Sequence, residues 1–229
     1  VCKAGNETKA DGGAITFRDT EKALVINDCE FISNKALKQN GVDGFGGAIY
    51  MFNGTLNIDV DKTTDTTFDG NQATNGGAIC QREWGAMNIH NAKFTSNHGQ
   101  WNGGALYHKK AVTLVGCDFT SNTAVSKGGA ACSEGGTFNA AKCTFTGNTS
   151  TDEGGAYRIA AGCTTNLTEC TFTNNEAKNT GGGAIKYNTG SLTIDGCIFT
   201  ENVATKGDAH GHVLLYAYEG GTSTIKNST

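Results

Sequence analysis

Cysteine offers the most potential chemistry in this chain, because nine cysteines occur in 229 residues. Four of them recur 26, 27 and 27 residues apart, each two residues before a phenylalanine: Cys117, Cys143, Cys170 and Cys197. If each repeat adds one strand to a stack, the Cα atoms of neighbouring cysteines lie about 4.8 Å apart, within the range of about 4.4–6.8 Å found for disulfides, so one or two bonds could form in an oxidising compartment. Buried thiols also serve as small apolar residues. Both interpretations of this column stay open.

Cys80 and Cys132 hold a different position, the fourth after the first glycine of a Gly-Gly pair. Tyr50 and Tyr107 hold the same position, so we expect all four side chains to face solvent in one outward column. The two thiols are two repeats apart, roughly 10 Å, which is too far for a bond between them. A crosslink between molecules, or pairing with Cys163 or Cys2, stays open. The chain has no Cys-x-x-Cys, so no zinc site is predicted.

Oxygen ligands for a metal are concentrated in the segment NIDVDKTTDTTFD, which interrupts the repeat. Asp59, Asp61 and Asp65 in this segment are of the type that binds Ca²⁺, and an acidic, solvated loop is the alternative. His210 and His212 stand where a Gly-Gly corner would recur, so they are either a metal pair or a degenerate corner. The sequence therefore predicts no cofactor, with bound Ca²⁺ as the alternative.

Aromatic residues and sequons are the remaining chemical candidates. Trp84 and Trp101, with Tyr50 and Tyr107, lie near predicted turns and could contact a ligand, although isolated surface aromatics are also common. Asparagine sequons could carry sugar if the protein is a secreted eukaryotic one. The candidate sequons begin at Asn53, Asn166 and Asn227.

A repeat of about 26 residues positions all of these candidates. Seven phenylalanines have asparagine three residues later, and Asn6 joins the asparagines by its distance from the first Gly-Gly-Ala triplet. The phenylalanines are Phe31, Phe68, Phe94, Phe119, Phe145, Phe172 and Phe199, and their asparagines are Asn34, Asn71, Asn97, Asn122, Asn148, Asn175 and Asn202. Apolar residues between these motifs alternate in short runs, which is typical of strands. Short strands that recur cannot bury a face alone, so the repeats must stack.

The pattern predicts an all-β fold, a parallel β-helix of eight to nine rungs that forms one domain over residues 1–229. Phenylalanine and cysteine fill its interior, asparagine carboxamides stack at one corner, and Gly-Gly forms another. A leucine-rich-type solenoid is the alternative, because the run from Ile194 to Ala204 fits that consensus. Poor helix formers in the rest of the repeat favour the β-helix.

Composition narrows the possible functions. The absence of proline is consistent with extensive central strands, since proline cannot donate to a sheet. The net charge of −4 predicts no nucleic-acid partner, and no apolar run is long enough to span a membrane.

Two functions known for β-helices need residues that this chain supplies poorly. A polysaccharide lyase needs convergent carboxylates or Ca²⁺ beside a basic residue, and no basic residue recurs beside the acids, so we predict no enzyme. An ice-binding face needs regular outward threonines. One such column is Thr95, Thr120, Thr146, Thr173 and Thr200, but Asp118 and Ile198 interrupt the column beside it.

The paired GGA(I/L) and FxxN motifs, such as NGGAIC and NGGALY with FTSN and FTGN, resemble the passenger domains of the polymorphic outer membrane proteins of chlamydiae. The resemblance covers nearly the whole chain. It implies a right-handed β-helix that is exported, extracellular or at the cell surface, non-enzymatic and often adhesive toward host-surface ligands. The matching residues are scaffold, so the resemblance does not name a ligand.

Both ends of the sequence fall inside a rung. From Ile225 to the Asn6 of a following copy would be ten residues, against eight between equivalent positions of the regular rungs. Two interpretations follow: the segment is cut from a longer protein, or copies stack head to tail into an extracellular filament, each completing the rung of the next.

Overall fold

The computed structural model describes residues 11–38, 41–60, 62, 65–206, 213–215 and 221–229. Within these ranges every regular element is a strand, and the strands pair in parallel between successive rungs. The predicted parallel β-helix is therefore confirmed. The leucine-rich alternative is wrong, because no described segment returns to the next rung as a helix.

The first of three sheets contains the phenylalanine column. Numbered in chain order with all other strands, its seven members are β2 Glu30–Ile32, β5 Thr67–Asp69, β9 Lys93–Thr95, β13 Asp118–Thr120, β17 Thr144–Thr146, β21 Thr171–Thr173 and β25 Ile198–Thr200. Neighbouring phenylalanine rings stack with centroids 4.6 to 5.0 Å apart and planes within 6° of parallel. Phe31 and Phe199 at the two ends are half-buried, and the five rings between them are fully buried.

The second sheet follows the asparagine corner. Its seven short strands are β3 Lys35–Ala36, β6 Gln72–Asn75, β10 His98–Asn102, β14 Thr123–Ala124, β18 Thr149–Ser150, β22 Glu176–Ala177 and β26 Val203–Ala204. Small residues such as Ala73 and Ala124 point inward from these strands and are buried. Their size lets this wall approach the large side chains of the opposite walls.

The third sheet has 14 strands and bends between two rows. Two long strands, β1 Ile15–Ile26 and β4 Ile49–Ile58, contribute to both rows. The row after the Gly-Gly corner contains β7 Ile79–Gln81, β11 Leu106–His108, β15 Ala131–Ser133, β19 Tyr157–Ile159, β23 Ile185–Tyr187 and β27 Val213–Leu215. The other row contains β8 Ala86–His90, β12 Ala111–Val115, β16 Thr137–Ala141, β20 Cys163–Thr168, β24 Gly190–Asp195 and β28 Thr222–Lys226.

The asparagine ladder consists of the seven asparagines that follow the phenylalanine strands, and Asn122 shows its pattern. The Oδ1 of Asn122 accepts hydrogen bonds from the backbone N–H and the Nδ2 of Asn97, at 2.9 and 3.0 Å. Its own Nδ2 donates to Oδ1 of Asn148 at 3.0 Å and to the carbonyl of Phe94 at 2.9 Å. This buried corner therefore satisfies its polar groups without water. Asn6 lies outside the described residues.

The residue just before each ladder asparagine has a left-handed backbone, with φ of 53° at Ser96 and 55° at Ser121. This conformation turns the chain sharply into the next strand, and it costs least for glycine and asparagine. The set is Ser33, Gly70, Ser96, Ser121, Gly147, Asn174 and Glu201.

The two glycines of each Gly-Gly corner are needed for different reasons. Gly103 has φ of 64°, which residues with a Cβ rarely adopt. A Cβ on Gly104 would lie 1.9 Å from the carbonyl oxygen of Gly129 in the next rung. The second glycine thus allows the backbones of successive rungs to stack directly.

The number of rungs is lower than the eight to nine predicted. The phenylalanine sheet has seven strands, so six complete turns separate its first and last members. The prediction also counted partial coils at both ends, which include residues outside the described ranges. The period of about 26 residues agrees with the in-register pairing of Phe94, Phe119 and Phe145.

Candidate functional site

The four-cysteine column lies inside the coil. Cys117, Cys143, Cys170 and Cys197 are fully buried free thiols on four consecutive rungs. Cys143 lies on the rung between Cys117 and Cys170, and the neighbouring Cys117 thiol and burial raise the pKa of its own thiol. The neighbouring Cys143 thiol and burial raise the pKa of the Cys170 thiol to about 12. The thiols of Cys143, Cys170 and Cys197 are therefore protonated at neutral pH.

Cys80 and Cys132 do not face solvent as predicted, because both are fully buried. They form a small apolar cluster with Tyr50 and Tyr107, separate from the interior of the coil. Burial raises the pKa of the Cys132 thiol to about 12. Strand alternation correctly points these side chains outward. The outer face is nevertheless covered, since neighbouring rungs and the flanking segments pack over it.

The four predicted ligand-contact aromatics separate into two classes. Tyr50 and Tyr107 are only 3% and 8% exposed, so the prediction that they are open contact residues is wrong. Burial raises the pKa of Tyr50 to about 12. Trp84 and Trp101, by contrast, are 69% and 53% exposed. An exposed indole of this size is available to a partner.

Basic side chains lie over the rings around the buried Tyr50. The Arg82 guanidinium lies 4.4 Å from the ring centroid of Phe45, and that of Arg18 lies 5.0 Å from Phe52. Phe45 and Phe52 in turn contact Tyr50, with centroids 5.7 and 6.3 Å away. The rings of Phe45, Tyr50 and Phe52 thus form a continuous aromatic cluster beneath two guanidinium groups.

The same arrangement recurs at the exposed tryptophans. The Lys110 ammonium lies 4.6 Å from the ring of Trp84, and Lys38 lies 5.5 Å from Trp101. The backbone N–H of Trp84 donates to the carbonyl of Phe52 at 3.4 Å, which joins Trp84 to the cluster. We use the name aromatic–cation surface for the residues of these four ring–cation pairs together. It comprises Arg18, Lys38, Phe45, Phe52, Arg82, Trp84, Trp101 and Lys110.

A compact ion cluster occupies the same outer face further along the coil. Arg158 follows Cys132 in the outward column and donates to Glu134 at 2.7 Å and to Glu153 at 3.3 Å. Lys127 also pairs with Glu153, at 3.6 Å. The Arg158 side chain is only 9% exposed. Its charge is satisfied by two carboxylates, so it serves packing of this face rather than ligand capture.

Two of the three candidate calcium ligands in the acidic segment have other partners in the structure, and calcium binding stays a prediction. Asp59 is fully buried, and its two oxygens accept hydrogen bonds from the backbone N–H groups of Asp28 and Thr66. Asp65 is exposed and forms an ion pair with Lys93. No group of three or more His, Cys, Asp or Glu suited to a metal occurs among the described residues. Asp61, His210 and His212 lie outside the described residues.

The sequon asparagines differ in how their side chains are used. The Nδ2 of Asn166 donates to Asn139 at 2.8 Å, and that of Asn227 donates to Asp195 at 2.9 Å. Asn53 is half-buried, and its Oδ1 has no partner among the described residues. Attachment of sugar to Asn166 would disrupt an outer asparagine pair, whereas Asn227 is exposed. Glycosylation of these residues stays a prediction.

Sequence reasoning missed a buried chain of polar groups inside the coil. His108 Nδ1 donates to the carbonyl of Lys110 at 2.9 Å, and its Nε2 accepts from Ser133. Ser133 in turn contacts the hydroxyl of Tyr157, which lies 3.3 Å from Thr165. Burial lowers the pKa of His108 to about 4. A Ser–His contact can activate a nucleophile in principle, but Ser133 and His108 are inaccessible to a substrate because both are fully buried.

The threonine column considered for ice binding lies on the outer side of the phenylalanine sheet. Thr95, Thr120, Thr146 and Thr173 are stacked in register and half-buried. In the neighbouring column the Thr144 hydroxyl donates to Asp118 at 2.6 Å. A hydroxyl bound in this way is less available to order water. Ice binding stays a prediction without further support.

A family model described as a right-handed beta helix region matches residues 57–229, which are 173 of the 229 residues. The chain belongs to the right-handed β-helix family. A second model, the Chlamydia polymorphic membrane protein repeat, matches residues 28–51 of this β-helix. No solved structure matches the chain. The match to the right-handed β-helix model confirms the handedness that the resemblance implied.

One curated relative of this β-helix is "Probable outer membrane protein pmp20" of Chlamydia pneumoniae. The two are 32% identical over 145 residues, which cover 57% of this chain and 8% of the relative. The resemblance to the polymorphic outer membrane proteins is thereby confirmed, and the match spans less than a tenth of the relative's length. None of the described segments forms a helix of the length and apolarity needed to cross a membrane.

Proposed function

We propose that this β-helix is part of a protein displayed at the cell surface, where it acts as a rigid, non-catalytic support for an adhesive surface. The outer membrane relative and the polymorphic membrane protein repeat support display at the surface. Stacked rings and the asparagine ladder support rigidity, because every rung is fixed by the rungs on both sides.

The aromatic–cation surface is the observation that carries the adhesive part of the proposal. Trp84 and Trp101 expose more than half of their surface, and exposed aromatic rings beside cations are favourable contacts in protein interfaces. In the part of the chain that the structure describes, Arg82 and Lys110 form no ion pair. Their charges are available to an acidic group on the partner. A partner that presents apolar and anionic groups fits this surface best.

A non-catalytic role is supported by the use of the reactive side chains. Asp59 caps backbone N–H groups, Glu134 and Glu153 neutralise Arg158, and His108 is buried. Each of these groups has a structural partner that would be lost if it reacted with a substrate.

Display at the surface is tested by labelling intact cells of the source organism with an antibody raised against the folded chain. We expect labelling before permeabilisation, and its loss after brief treatment of intact cells with a protease. Labelling that requires permeabilisation would overturn surface display. An antibody to a cytoplasmic protein of the same cells is the control for leakage.

Adhesion is tested by adding the fluorescently labelled chain to cultured epithelial cells and measuring bound fluorescence by flow cytometry. We expect saturable binding that an excess of unlabelled chain displaces. Binding that is absent, or that excess chain does not displace, would overturn the adhesive role while leaving surface display to the labelling test.

A further inference from the structure

The four-cysteine column has a backbone arrangement that places each thiol directly beside the next. The backbone N–H of Thr144 donates to the carbonyl of Cys117 at 3.0 Å, and that of Thr171 donates to Cys143 at 2.9 Å. Ile198 completes the series by donating to Cys170 at 2.9 Å. Strands paired in this way are about 4.8 Å apart, within the Cα separation of about 4.4–6.8 Å at which disulfides occur.

The thiols also share one orientation. Sγ of Cys143 and Sγ of Cys170 each contact the carbonyl oxygen two residues earlier, at 3.4 Å. Cys197 makes the same contact with Asp195 at 3.6 Å, and Cys117 with Val115 at 3.6 Å. Rotation of one side chain about χ1 to another staggered position is therefore the change that brings two adjacent sulfur atoms together.

The residues at the two ends of the column determine which thiols can pair. The same backbone hydrogen bonds extend the column to Ala92 before Cys117, since Asp118 donates to Ala92 at 3.0 Å. On the other side, Ser228 lies next to Cys197, whose backbone N–H donates to the serine hydroxyl at 3.0 Å. Cys117 and Cys197 thus have one thiol neighbour each within the column.

We propose that the secreted protein contains two disulfides in the coil interior, Cys117–Cys143 and Cys170–Cys197. This pairing uses all four thiols, whereas a Cys143–Cys170 bond would leave two buried thiols without a partner. Each bond links two successive rungs, so the two together fasten four rungs of the coil. The proposal rests on surface display for its oxidising environment.

The oxidant has the chemistry of a small-molecule disulfide such as oxidised glutathione. One cysteine thiolate attacks the glutathione disulfide, which releases one glutathione thiolate and leaves a mixed disulfide on the protein. The neighbouring cysteine thiolate then attacks the protein sulfur of that mixed disulfide and releases the second glutathione. Two cysteines lose two protons and two electrons in total, and one glutathione disulfide is reduced to two glutathione molecules.

The bonds form during folding rather than afterwards. In the folded coil the thiols of Cys143 and Cys170 are buried and have raised pKa values, so little reactive thiolate is present at neutral pH. Before the rungs stack, the same thiols are exposed and titrate normally. Oxidation is therefore fast while the chain folds and slow once it has folded with free thiols.

Peptide mapping of the refolded chain tests the pairing. The reduced, denatured 229-residue protein is refolded in a glutathione redox buffer, alkylated with iodoacetamide in denaturant and digested with trypsin. Cleavage after lysine and arginine leaves the four cysteines on four separate peptides, which are 111–127, 143–158, 159–178 and 187–206. We expect 111–127 linked to 143–158, and 159–178 linked to 187–206. Fragment spectra distinguish Cys170 from Cys163, which shares its peptide.

Two variants serve as matched comparisons. Cys29 belongs to the same column and is half-buried, and its neighbour on the next rung is Thr66 rather than a cysteine. Cys29→Ala should therefore leave both linked peptides unchanged. Cys117→Ala should remove the first link alone and leave Cys143 alkylated. We also expect reduction to lower the melting temperature of the wild type by several degrees more than that of the Cys143→Ala, Cys170→Ala double variant, whose remaining column thiols are three rungs apart.

A link between 143–158 and 159–178 in the wild type, or full alkylation of all four thiols, would overturn the proposal. Neither result depends on where the protein is located, so failure of the disulfides is distinguishable from failure of surface display. If the mapping succeeds but intact cells are not labelled, the pairing stands as a property of the chain and the surface proposal fails.

Discussion

The side-chain amide and the backbone N–H of Asn122 both donate to a single oxygen, Oδ1 of Asn148, at 3.0 Å. Asn148 also donates from Nδ2 to the carbonyl of Phe119 at 2.9 Å. One fully buried carboxamide therefore satisfies polar groups on two neighbouring rungs. The ladder explains why asparagine recurs three residues after phenylalanine.

Replacement of Asn148 by alanine should destabilise the protein strongly. It removes the acceptor of the Asn122 backbone N–H and of one Asn122 amide hydrogen, and it removes a donor to the Phe119 carbonyl, at about 1–3 kcal/mol for each lost buried contact. We expect the free energy of unfolding in urea to fall by about 3–5 kcal/mol. Asn139→Ala, on the half-buried outer asparagine pair, is the control and should cost about 1 kcal/mol or less. Equal losses for the two variants would contradict the ladder.

Gly104→Ala tests the close stacking of rungs at the Gly-Gly corner. The added Cβ would lie 1.9 Å from the carbonyl oxygen of Gly129, so the rungs must separate. We expect a loss of more than about 3 kcal/mol, or failure to fold. Gly162→Ala is the comparison, since its Cβ meets nothing within 4 Å and only the left-handed φ of 78° is unfavourable, at about 1–2 kcal/mol. Similar losses of stability in the two variants would contradict the prediction, because the close contact between Gly104 and Gly129 would then add no cost beyond that of the backbone conformation.

Gln81→Met should stabilise the coil. Gln81 is fully buried, and neither its Oε1 nor its Nε2 has a hydrogen-bond partner among the described residues. Its neighbour in the same inward column is Met51, so a thioether of similar volume fits this wall. We expect a gain of about 1–2 kcal/mol in urea unfolding, because the desolvated amide is removed. A loss of stability would indicate that the amide has a partner such as a buried water.

His108 should make the stability depend on pH between about 6.5 and 4. Burial lowers its pKa from 6.5 to about 4 in the folded state, so in this window the unfolded chain binds a proton that the folded chain does not. Stability therefore falls as the pH drops through 6.5, and this contribution levels off below about pH 4. The full effect is up to about 3 kcal/mol. The difference between wild type and His108→Gln in urea unfolding isolates it, and parallel pH profiles would contradict it.

Much of the fold can be predicted from the sequence, because each buried column consists of one residue type that recurs once in every repeat. The buried positions of Phe119 and Asn122 can be predicted because these residue types recur at a fixed spacing. This prediction requires no knowledge of tertiary contacts. The outer face was harder to predict. Alternation correctly places Tyr50 and Cys80 outward, but recurrence does not reveal that Phe45 and Phe52 cover that face.

Residues outside the repeated motif were harder still. The sequence suggests Asp59 as a calcium ligand, yet its carboxylate accepts hydrogen bonds from the backbone of Thr66 and of Asp28, which is 31 residues away in the chain. The contact of His108 with Ser133 has no sequence motif, and its only signal is two polar residues at an inward position. End-to-end stacking of copies stays a prediction, and light scattering over a range of protein concentrations tests it.

The most direct test of the account is the affinity of the chain for epithelial cells, measured by flow cytometry for wild type and two double variants. Trp84→Ala with Trp101→Ala removes the exposed rings of the aromatic–cation surface, and Thr120→Ala with Thr173→Ala alters a different face of the same coil. Circular dichroism establishes that both variants are folded. We predict at least roughly tenfold weaker binding for the tryptophan variant, as expected when two aromatic contacts of an interface are lost, and unchanged binding for the threonine variant. If the tryptophan variant binds the cells with wild-type affinity, the claim that the aromatic–cation surface binds cells is contradicted, and only the role of the repeat as a structural support is left.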